Sequence, residues 1–340
     1  MRTKLTAYLS FFVLLFSTGC HELFDLLHEF KSEESEVKVK EYASGLLTPF
    51  GLELDYQGNV WVAEAGTGNN DGRISMITSQ NQVYPVIEGF TSIIPPDEPS
   101  PIGVSHLILV GPTLWFLNIA EGRLYHVDIS SFYPGDEPMQ ASEIESEDIA
   151  TFVLNCDLGD ADTEESNPYN LILGPDGNIY IVDAAANAIV KREAETGELS
   201  IFAIFPDIIN PTEIGPPVFN SVPTGIVYDG AYFLVSTLTG FPFVENEALI
   251  YQVDMDGNVS VYQGGFTTLV DITLDADAFP VVVQYALFEQ GFAPSTGKVS
   301  GIDEVMLDEI NYPLGIRRKG KNTYYVTSSG DGVVHKIRLR

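Results

Sequence analysis

Three stretches of the chain follow one plan: Pro49-Phe50-Gly51-Leu52 then Gln57-Gly58-Asn59-Val60-Trp61-Val62, Pro168-Tyr169-Asn170-Leu171 then Asp176-Gly177-Asn178-Ile179-Tyr180-Ile181-Val182, and Pro223-Thr224-Gly225-Ile226 then Asp229-Gly230-Ala231-Tyr232-Phe233. In each, an apolar strand leads through a Gly or Asp turn to a second strand. Weaker copies begin near Ile102, Val270 and Pro313. A unit repeated in this way predicts an array in which each copy buries its core only against its neighbours.

The spacing of the copies indicates the architecture. They begin near residues 49, 102, 168, 223, 270 and 313, and a four-stranded propeller blade takes about 40–45 residues. We therefore predict an all-β, six-bladed β-propeller, with insertions at the Pro-rich segment 91–101 and the acidic segment 132–148. A seven-bladed ring with one blade hidden within 88–166 is the alternative.

The last copy is one strand short, because the chain ends after the strand predicted at 333–340. Residues 36–42 alternate polar and apolar and lie just before the first copy, so they can supply the missing strand. We predict that this strand pairs with the last blade and closes the ring, since closure leaves only short strand edges exposed.

The amino terminus is typical of an export signal. Arg2 and Lys4 precede an apolar segment at 5–16, which is too short to span a bilayer as a helix. Ser17-Thr18-Gly19-Cys20 then resembles a bacterial lipobox, with Ser17 in place of the usual Leu. We predict a signal peptide at 1–19, lipidation of Cys20, a tether at 20–35 and a propeller at 36–340. An ordinary signal peptide with a chance cysteine is the alternative.

Composition narrows the classes of partner. The formal net charge is −31 and 45% of the residues are hydrophobic, so a large core is available. The charge argues against nucleic acid, whose phosphates would be repelled, and against direct electrostatic binding to an anionic membrane surface. Two cysteines rule out a disulfide-rich scaffold. Cys156 follows a predicted strand at 151–155 and is expected to be an inert strand-end residue.

Several segments resemble the ScyD/ScyE family of exported propeller proteins, a branch of the NHL/YVTN-like propellers. The resemblance runs from about 40 to 340 and is carried by Ser166-Asn167-Pro168-Tyr169, Val182-Asp183-Ala184-Ala185-Ala186-Asn187-Ala188, Val222-Pro223-Thr224, Leu238-Thr239-Gly240-Phe241-Pro242-Phe243, Ile250-Tyr251-Gln252-Val253 and Gly265-Phe266-Thr267-Thr268-Leu269-Val270-Asp271-Ile272. It implies a propeller fold and export, and no biochemical activity is established for the family in general.

Candidate ligand-binding residues follow from the predicted ring. The turns that enter the inner strands and those that follow the second strands share one face around the channel, which is the default ligand site. The first set gives His106, Asn167, Asn170, Thr224 and Asp271, and the second set gives Glu64, Asn118, Asp183 and Ser328. Phe241 and Phe243, in a long loop, could form an aromatic lip or pack that loop.

A ring of Glu, Asp and Asn suits Ca²⁺ or another hard divalent cation. In a metal-dependent, gluconolactonase-like hydrolase, Asn167 and Asp271 would be the ligands and Asp183 the base that deprotonates water. The same residue types also cap turns by bonding backbone amides. The acidic loop 157–165 and the turn 254–258 are better explained as a solvated loop and a hairpin turn.

From these features we predict an exported, membrane-anchored binding or scaffold propeller of the bacterial envelope, periplasmic or surface-exposed. It would act as a monomer on a small molecule or an envelope protein, without nucleic acid. The lactone hydrolase is the alternative.

Overall fold

The computed structural model describes residues 37–96, 100–159, 163–301 and 304–339. Two compact units are present, Val39–Arg338 and Met1–Lys38 with Leu339–Arg340. Of the second unit only Val37, Lys38 and Leu339 are described, so the predicted signal peptide, Cys20 and the tether lie outside the described residues.

Among the described residues, the unit Val39–Arg338 contains six large sheets, five of four strands and one of five, which confirms the predicted six-bladed β-propeller. Blades 1 to 3 comprise β2 (Pro49–Leu54), β3 (Val60–Glu64), β4 (Gly72–Ile77) and β5 (Val83–Phe90); β6 (Val104–Val110), β7 (Thr113–Asn118), β8 (Arg123–Asp128) and β10 (Glu145–Asp148); and β11 (Pro168–Leu173), β12 (Ile179–Asp183), β13 (Ala188–Arg192) and β14 (Leu199–Ile204). Blades 4 to 6 comprise β17 (Pro223–Tyr228), β18 (Phe233–Thr237), β19 (Ala248–Val253) and β20 (Val259–Phe266); β21 (Leu269–Leu274), β22 (Pro280–Gln284), β23 (Gly297–Ser300) and β24 (Val305–Ile310); and β25 (Pro313–Lys319), β26 (Thr323–Ser328), β27 (Val333–Arg338) and β1 (Lys38–Ser44).

The ring closes by sharing blade 6 between the two ends of the chain, as predicted. The closing strand β1 spans Lys38–Ser44 rather than 36–42 and pairs with β27. Lys336 lies over the rings of Tyr42 and Tyr325, and those two rings pack edge to face with centroids 4.8 Å apart.

No seventh blade is present among the described residues. The acidic insertion at 132–148 instead extends two neighbouring blades, because β9 (Met139–Gln140) joins β5 of blade 1 in parallel and β10 is the outer strand of blade 2. A 3₁₀ turn, Ala141–Glu143, separates them. A small hairpin of β15 (Ile208–Ile209) and β16 (Val218–Phe219) precedes blade 4.

The strand predicted at 151–155 is wrong, since the chain forms the short helix α1 (Ala150–Leu154) there. Asp148 accepts hydrogen bonds from the backbone N–H and the hydroxyl of Thr151, both at 2.9 Å. A side chain that accepts hydrogen bonds from the free N–H groups of the first turn favours a helix. These hydrogen bonds outweigh the strand propensity of the β-branched residues in this segment.

The core is divided among the junctions between blades. One cluster contains Trp61, Ile74 and Phe90 of blade 1 with Leu107 and Phe116 of blade 2, and others join blades 2 with 3, 3 with 4, 4 with 5 and 6 with 1. Ile74 is fully buried, and truncating such a residue to Ala costs about 2–5 kcal/mol. Each blade is therefore stable only beside its neighbours, as the repeat predicted.

Candidate functional site

The upper face of the propeller is the face where the inner strands begin and the second strands end. Each second strand ends there on a buried polar residue that lies opposite the first residue of its inner strand. These six upper caps are Glu64, Asn118, Asp183, Thr237, Gln284 and Ser328. Sequence reasoning selected four of them and missed Thr237 and Gln284.

Asp183 shows what an upper cap does. Its Oδ1 accepts hydrogen bonds from the N–H groups of Asn167 at 2.7 Å and Ala186 at 3.0 Å, and its Oδ2 accepts one from the hydroxyl of Ser166 at 2.5 Å. Burial raises the pKa of Asp183, and these hydrogen bonds offset part of that rise. A carboxylate used in this way fixes two turns, which agrees with the turn-capping alternative.

Other upper caps bond in the same manner. Glu64 accepts two hydrogen bonds from the guanidinium of Arg73 at 2.8 Å and one from the N–H of Leu47. Asn118 donates to the carbonyl of Thr91 at 3.1 Å, and Ser328 donates to the carbonyl of Asn311 at 2.8 Å. The polar groups of these upper caps are therefore already hydrogen-bonded to other groups of the protein.

The channel centre lies one step inside this face, at the third residue of each inner strand. Three blades place Gly there, namely Gly51, Gly225 and Gly315, and three place His106, Asn170 and Asp271. A β-bulge follows the first residue of all six inner strands, and bulges re-aim side chains.

The glycines make room for the larger side chains. A Cβ on Gly51 would lie 2.6 Å from the ring of His106, and one on Gly225 would lie 2.6 Å from Cα of Asp271. The channel centre is consequently filled by His106, Asn170 and Asp271, all fully buried.

Asp271 connects three blades. Its Oδ1 accepts from Nδ2 of Asn170 at 3.1 Å, and its Oδ2 accepts from the N–H of Ile316 at 2.8 Å and from Nη1 of Arg317 at 3.0 Å. Arg317 also contacts Glu53 of blade 1 at 3.3 Å. Burial opposes the charge of Arg317, but Asp271 and Glu53 outweigh it and raise its pKa. The carboxylate already has its counter-ion.

His106 lies against the rings of Phe50 and Tyr169, with centroids 5.6 and 5.0 Å away. Burial lowers the pKa of His106 to about 4, although Asp271 favours the charged form. The ring is therefore neutral at pH 7, and its Nδ1 donates to the carbonyl of Tyr169 at 2.8 Å. Its buried Nε2 has no hydrogen-bond partner within the described ranges.

The predicted metal site does not assemble in the described part of the chain, where no three His, Cys, Asp or Glu side chains are grouped to hold an ion. Arg317 stands where a cation would have to contact Asp271. Asn167 contacts Asp183 through its backbone and shares no partner with Asp271. The buried Oδ1 of Asn167 has no hydrogen-bond partner within the described ranges, whereas Asp271 is already paired with Arg317. The roles proposed for Asn167, Asp183 and Asp271 in metal chemistry stay predictions.

An aromatic cluster occupies the upper face between blades 4, 5 and 6. Phe243 packs on Phe288 and Phe292 at 4.8 and 4.9 Å, and Tyr285 stacks on Tyr312 at 5.2 Å. The cluster consists of Phe241, Phe243, Tyr285, Phe288, Phe292 and Tyr312. Sequence reasoning found only Phe241 and Phe243, although Phe288 and Phe292 lie in an equally long loop of the next blade.

The aromatic cluster is accessible and its loops are acidic. Phe241 is 52% exposed, and the other five rings are half-buried. The loops 205–222, 238–247 and 285–296 contain no Lys or Arg and hold Asp207, Glu213, Glu245, Glu247 and Glu289. The cluster thus combines apolar ring surface with negative charge.

The remaining candidates bond locally. Thr224 donates to the carbonyl of Leu269 at 2.9 Å and so joins blades 4 and 5. Asp254 accepts from the N–H of Asn258 at 2.9 Å, as a hairpin turn requires.

Cys156 is half-buried after α1, its thiol contacts the carbonyl of Phe152 at 3.3 Å, and burial raises the pKa of that thiol. In the loop 157–165, residues 160–162 lie outside the described part.

Among the described residues, no helix has both the length and the apolarity to cross a membrane. A cleft of about 220 Å³ opens between blades 4 and 5 and is lined by Asn246, Gln284, Lys298 and Glu304 among others. Its mixed charge does not single out a class of ligand.

Solved structures of β-propeller proteins are similar to this chain. Virginiamycin B lyase from Staphylococcus aureus has a TM-score of 0.54 at 16% identity and covers 90% of this chain and 100% of its own. A gluconolactonase from Xanthomonas campestris has a TM-score of 0.57 at 9% identity, covering 89% and 90%. An aldose sugar dehydrogenase from Streptomyces coelicolor, solved with bound PQQ, has a TM-score of 0.53 at 12% identity, covering 90% and 99%.

These comparisons establish the class, a β-propeller, and no narrower family. No protein-family model matches the sequence, and no curated protein matches it. Membership of the ScyD/ScyE family is thus not supported, whereas the wider propeller resemblance is confirmed. Because the similar structures belong to a lyase, a lactonase and a dehydrogenase, the shared fold does not determine an activity.

Proposed function

We propose that this chain is an exported, lipid-anchored β-propeller of the bacterial envelope, of the ScyD/ScyE type, that binds a ligand at the aromatic cluster. The observation that carries the proposal is the contrast in availability between two groups of side chains. Asp271 at the channel centre is buried and paired with Arg317, whereas Phe241 offers half of its surface to solvent.

The composition of the cluster indicates the class of ligand. Aromatic faces attract cations through their quadrupole, and five acidic residues in the surrounding loops add to the negative potential. A ligand with both a positive charge and an apolar group therefore fits this surface better than an anion or a neutral sugar.

The test uses benzyltrimethylammonium as the probe and calorimetry as the measurement. We expect binding to the wild-type protein, no binding of benzoate, and about two- to fivefold weaker binding of the cation to Phe241→Ala, in line with an exposed cation–π contact. Phe279→Ala is the matched control, because Phe279 is 53% exposed in a turn on the opposite face. Equal binding of benzoate, or an equal loss in both variants, would contradict the proposal.

The second candidate is the metal-dependent lactone hydrolase. It is favoured by the convergence of His106, Asn170 and Asp271 at the channel centre and opposed by the pairing of Asp271 with Arg317. Metal analysis of the purified protein and a panel of lactones decide between the candidates. A bound divalent ion that is lost together with hydrolysis in Asp271→Asn would establish the enzyme.

The anchor has a separate test. After a high-salt wash, which removes protein held only by charge, Cys20→Ser should leave the membrane fraction of the envelope, whereas the wild-type protein should stay. Equal retention of the two proteins after that wash would exclude lipidation of Cys20 as the anchor.

A further inference from the structure

The lower face of the propeller, where the inner strands end, carries an uneven charge. The turn that joins the inner strand to the second strand holds Asp55, Asp176, Asp229 and Asp275 in blades 1, 3, 4 and 5. The same turn of blade 6 reads Gly320-Lys321-Asn322. Blade 2 has the uncharged Gly111-Pro112 in this turn, so among the six turns only that of blade 6 carries a cation.

Further cations gather around that turn to form a basic patch. Lys319 of β25 lies opposite Thr323 of β26, and Thr323 lies opposite Arg338 of β27. Arg318 directly precedes Lys319 on β25. With Lys40 on the neighbouring strand β1, the basic patch comprises Lys40, Arg318, Lys319, Lys321 and Arg338. All are exposed except Arg318, which is half-buried.

The basic patch is not neutralised within the described ranges. The ion pairs of Arg and Lys found there use Arg73, Arg123, Lys191, Arg192 and Arg317 instead. Arg318 donates to the carbonyl of Gly320 at 2.6 Å, and Lys319 donates to that of Gly58 at 3.1 Å. Asp277 of blade 5 shares a groove with Arg318 and Lys321 and limits the patch on that side, while Glu41 follows Lys40 along β1.

The chain enters the propeller beside the basic patch. Leu46, just after β1, donates to the carbonyl of Gly332, just before β27, at 3.0 Å, so β1 runs opposite to β27. The end of β1 therefore lies at the upper face and its start lies at the lower face, near Arg338. About 18 residues separate Cys20 from this point, a reach of at most about 60 Å.

We propose that the basic patch docks the lower face of blade 6 on the anionic headgroups of the membrane that holds the lipid anchor. The orientation of the propeller on the membrane rests on the proposed lipid anchor, whereas the affinity of the basic patch for anionic lipid requires only the propeller. Each exposed cation near an anionic bilayer raises binding about fivefold. Charges beyond about 8 Å are screened at physiological salt, so the acidic turns of blades 3 and 4, which are not next to blade 6, oppose docking less than the net charge suggests.

This proposal reverses one expectation drawn from composition. A net charge of −31 disfavours an anionic membrane as a partner, but the distribution of charge over the blades provides a local surface of the opposite sign.

The experiment measures sedimentation of the Cys20→Ser protein without the predicted signal peptide 1–19, so that neither the apolar segment 5–16 nor a lipid binds the vesicles. Vesicles of phosphatidylcholine alone are compared with vesicles that also contain phosphatidylglycerol. We expect binding only to the anionic vesicles, weakening as salt increases, and at least a tenfold loss in Arg318→Glu/Lys321→Glu. Exchanging the two residues, as Arg318→Lys/Lys321→Arg, should preserve binding.

The matched control separates the basic patch from net charge. Lys321→Glu and Lys298→Glu change the net charge equally, but Lys298 lies opposite Gln284 at the upper end of blade 5. Lys321→Glu should weaken vesicle binding about fivefold or more, and Lys298→Glu should leave it within twofold. Equal effects of the two variants, no binding to anionic vesicles, or binding to heparin but not to vesicles would each overturn the proposal. Thermal melts confirm that each variant is folded.

If Cys20→Ser binds anionic vesicles in this way but the wild-type protein is not lipidated in cells, the anchor fails and the docking surface stands. If the wild-type protein is lipidated but vesicle binding ignores the basic patch, the docking proposal alone is wrong.

Discussion

The channel centre and the aromatic cluster both hold side chains that could bind a ligand, yet they differ in what those side chains already contact. Asp271 is bonded to both Asn170 and Arg317, and Asp271 and Asn170 are closed to solvent. Phe241 and Phe243 lie in a loop between the second and third strands that is longer in blades 4 and 5 than in the others, and Phe241 is exposed. The comparison teaches that the repeated positions of this ring hold blades together, and that binding capacity resides where the repeat is broken.

The strongest test of this contrast is Asp271→Ala. It leaves the guanidinium of Arg317 without its buried partner, and breaking such a pair costs about 3–5 kcal/mol. We expect the free energy of unfolding in urea to fall by that amount. Asp277→Ala, at an exposed position of the same blade, should change it by less than about 0.5 kcal/mol. A small loss at Asp271 would mean that its pair with Arg317 contributes little, and an equal loss on adding a chelator to the wild-type protein would indicate a metal ligand instead.

His106 tests the same region through pH. Its pKa is about 4 in the folded protein and about 6.5 when unfolded, so protons bind the unfolded chain more tightly. The contribution of the neutral His106 ring to the free energy of unfolding is fully present above pH 6.5. It is lost as pH falls towards 4, which lowers the free energy of unfolding by about 3 kcal/mol at 1.36 kcal/mol per pKa unit.

Because His335 and carboxyl groups titrate in the same range, the informative quantity is the difference between the wild-type protein and His106→Gln. We expect the gap in unfolding free energy between them to narrow by about 3 kcal/mol from pH 7 to pH 4. If the difference in unfolding free energy between the wild-type protein and His106→Gln did not change with pH, the His106 ring would be hydrated or charged in the folded protein.

Removing an upper cap should have an intermediate effect. Asp183→Ala leaves the N–H groups of Asn167 and Ala186 without their acceptor, and we expect a loss of about 1–3 kcal/mol. Amide hydrogen exchange at those two residues should accelerate, which locates the effect. Asp256→Ala, in the exposed turn 254–258, is the control and should leave both stability and exchange unchanged. Stability unaffected by Asp183→Ala would reopen a catalytic role for this carboxylate.

The smallest stability effect is expected at the aromatic cluster. Phe241 and Phe279 expose similar fractions of their surface, so replacing either with Ala should lower the free energy of unfolding by less than about 1 kcal/mol. Only Phe241→Ala should alter binding of an organic cation. A large loss of stability in Phe241→Ala would identify the cluster as packing for the loop rather than a binding surface.

The blades could be predicted from sequence because their signals are local. The second strand of the copy that begins at Pro168 follows the turn Asp176-Gly177 in the sequence, and β12 spans Ile179–Asp183, since alternation and Gly turns set its limits within a few residues. The helix α1 does not follow from local propensity, because its Thr, Phe and Val favour a strand and its first turn depends on the hydrogen bonds from Thr151 to Asp148. The partners in the channel centre could not be deduced, because the contact of Arg317 with Asp271 joins residues 46 apart in different blades.

Closing the ring in blade 6 has a consequence for the time course of folding. The hydroxyl of Thr327 donates to the carbonyl of Phe50, 277 residues away in the sequence. Strand β1 is synthesised early, but its partner β27 is synthesised last. Synthesis proceeds at about 5–20 residues per second, so β1 stays unpaired for roughly 15–60 s. Contacts this distant in sequence also form slowly. The finished ring can thus assemble only after the final strand has emerged, which makes the early chain dependent on protection from premature strand pairing.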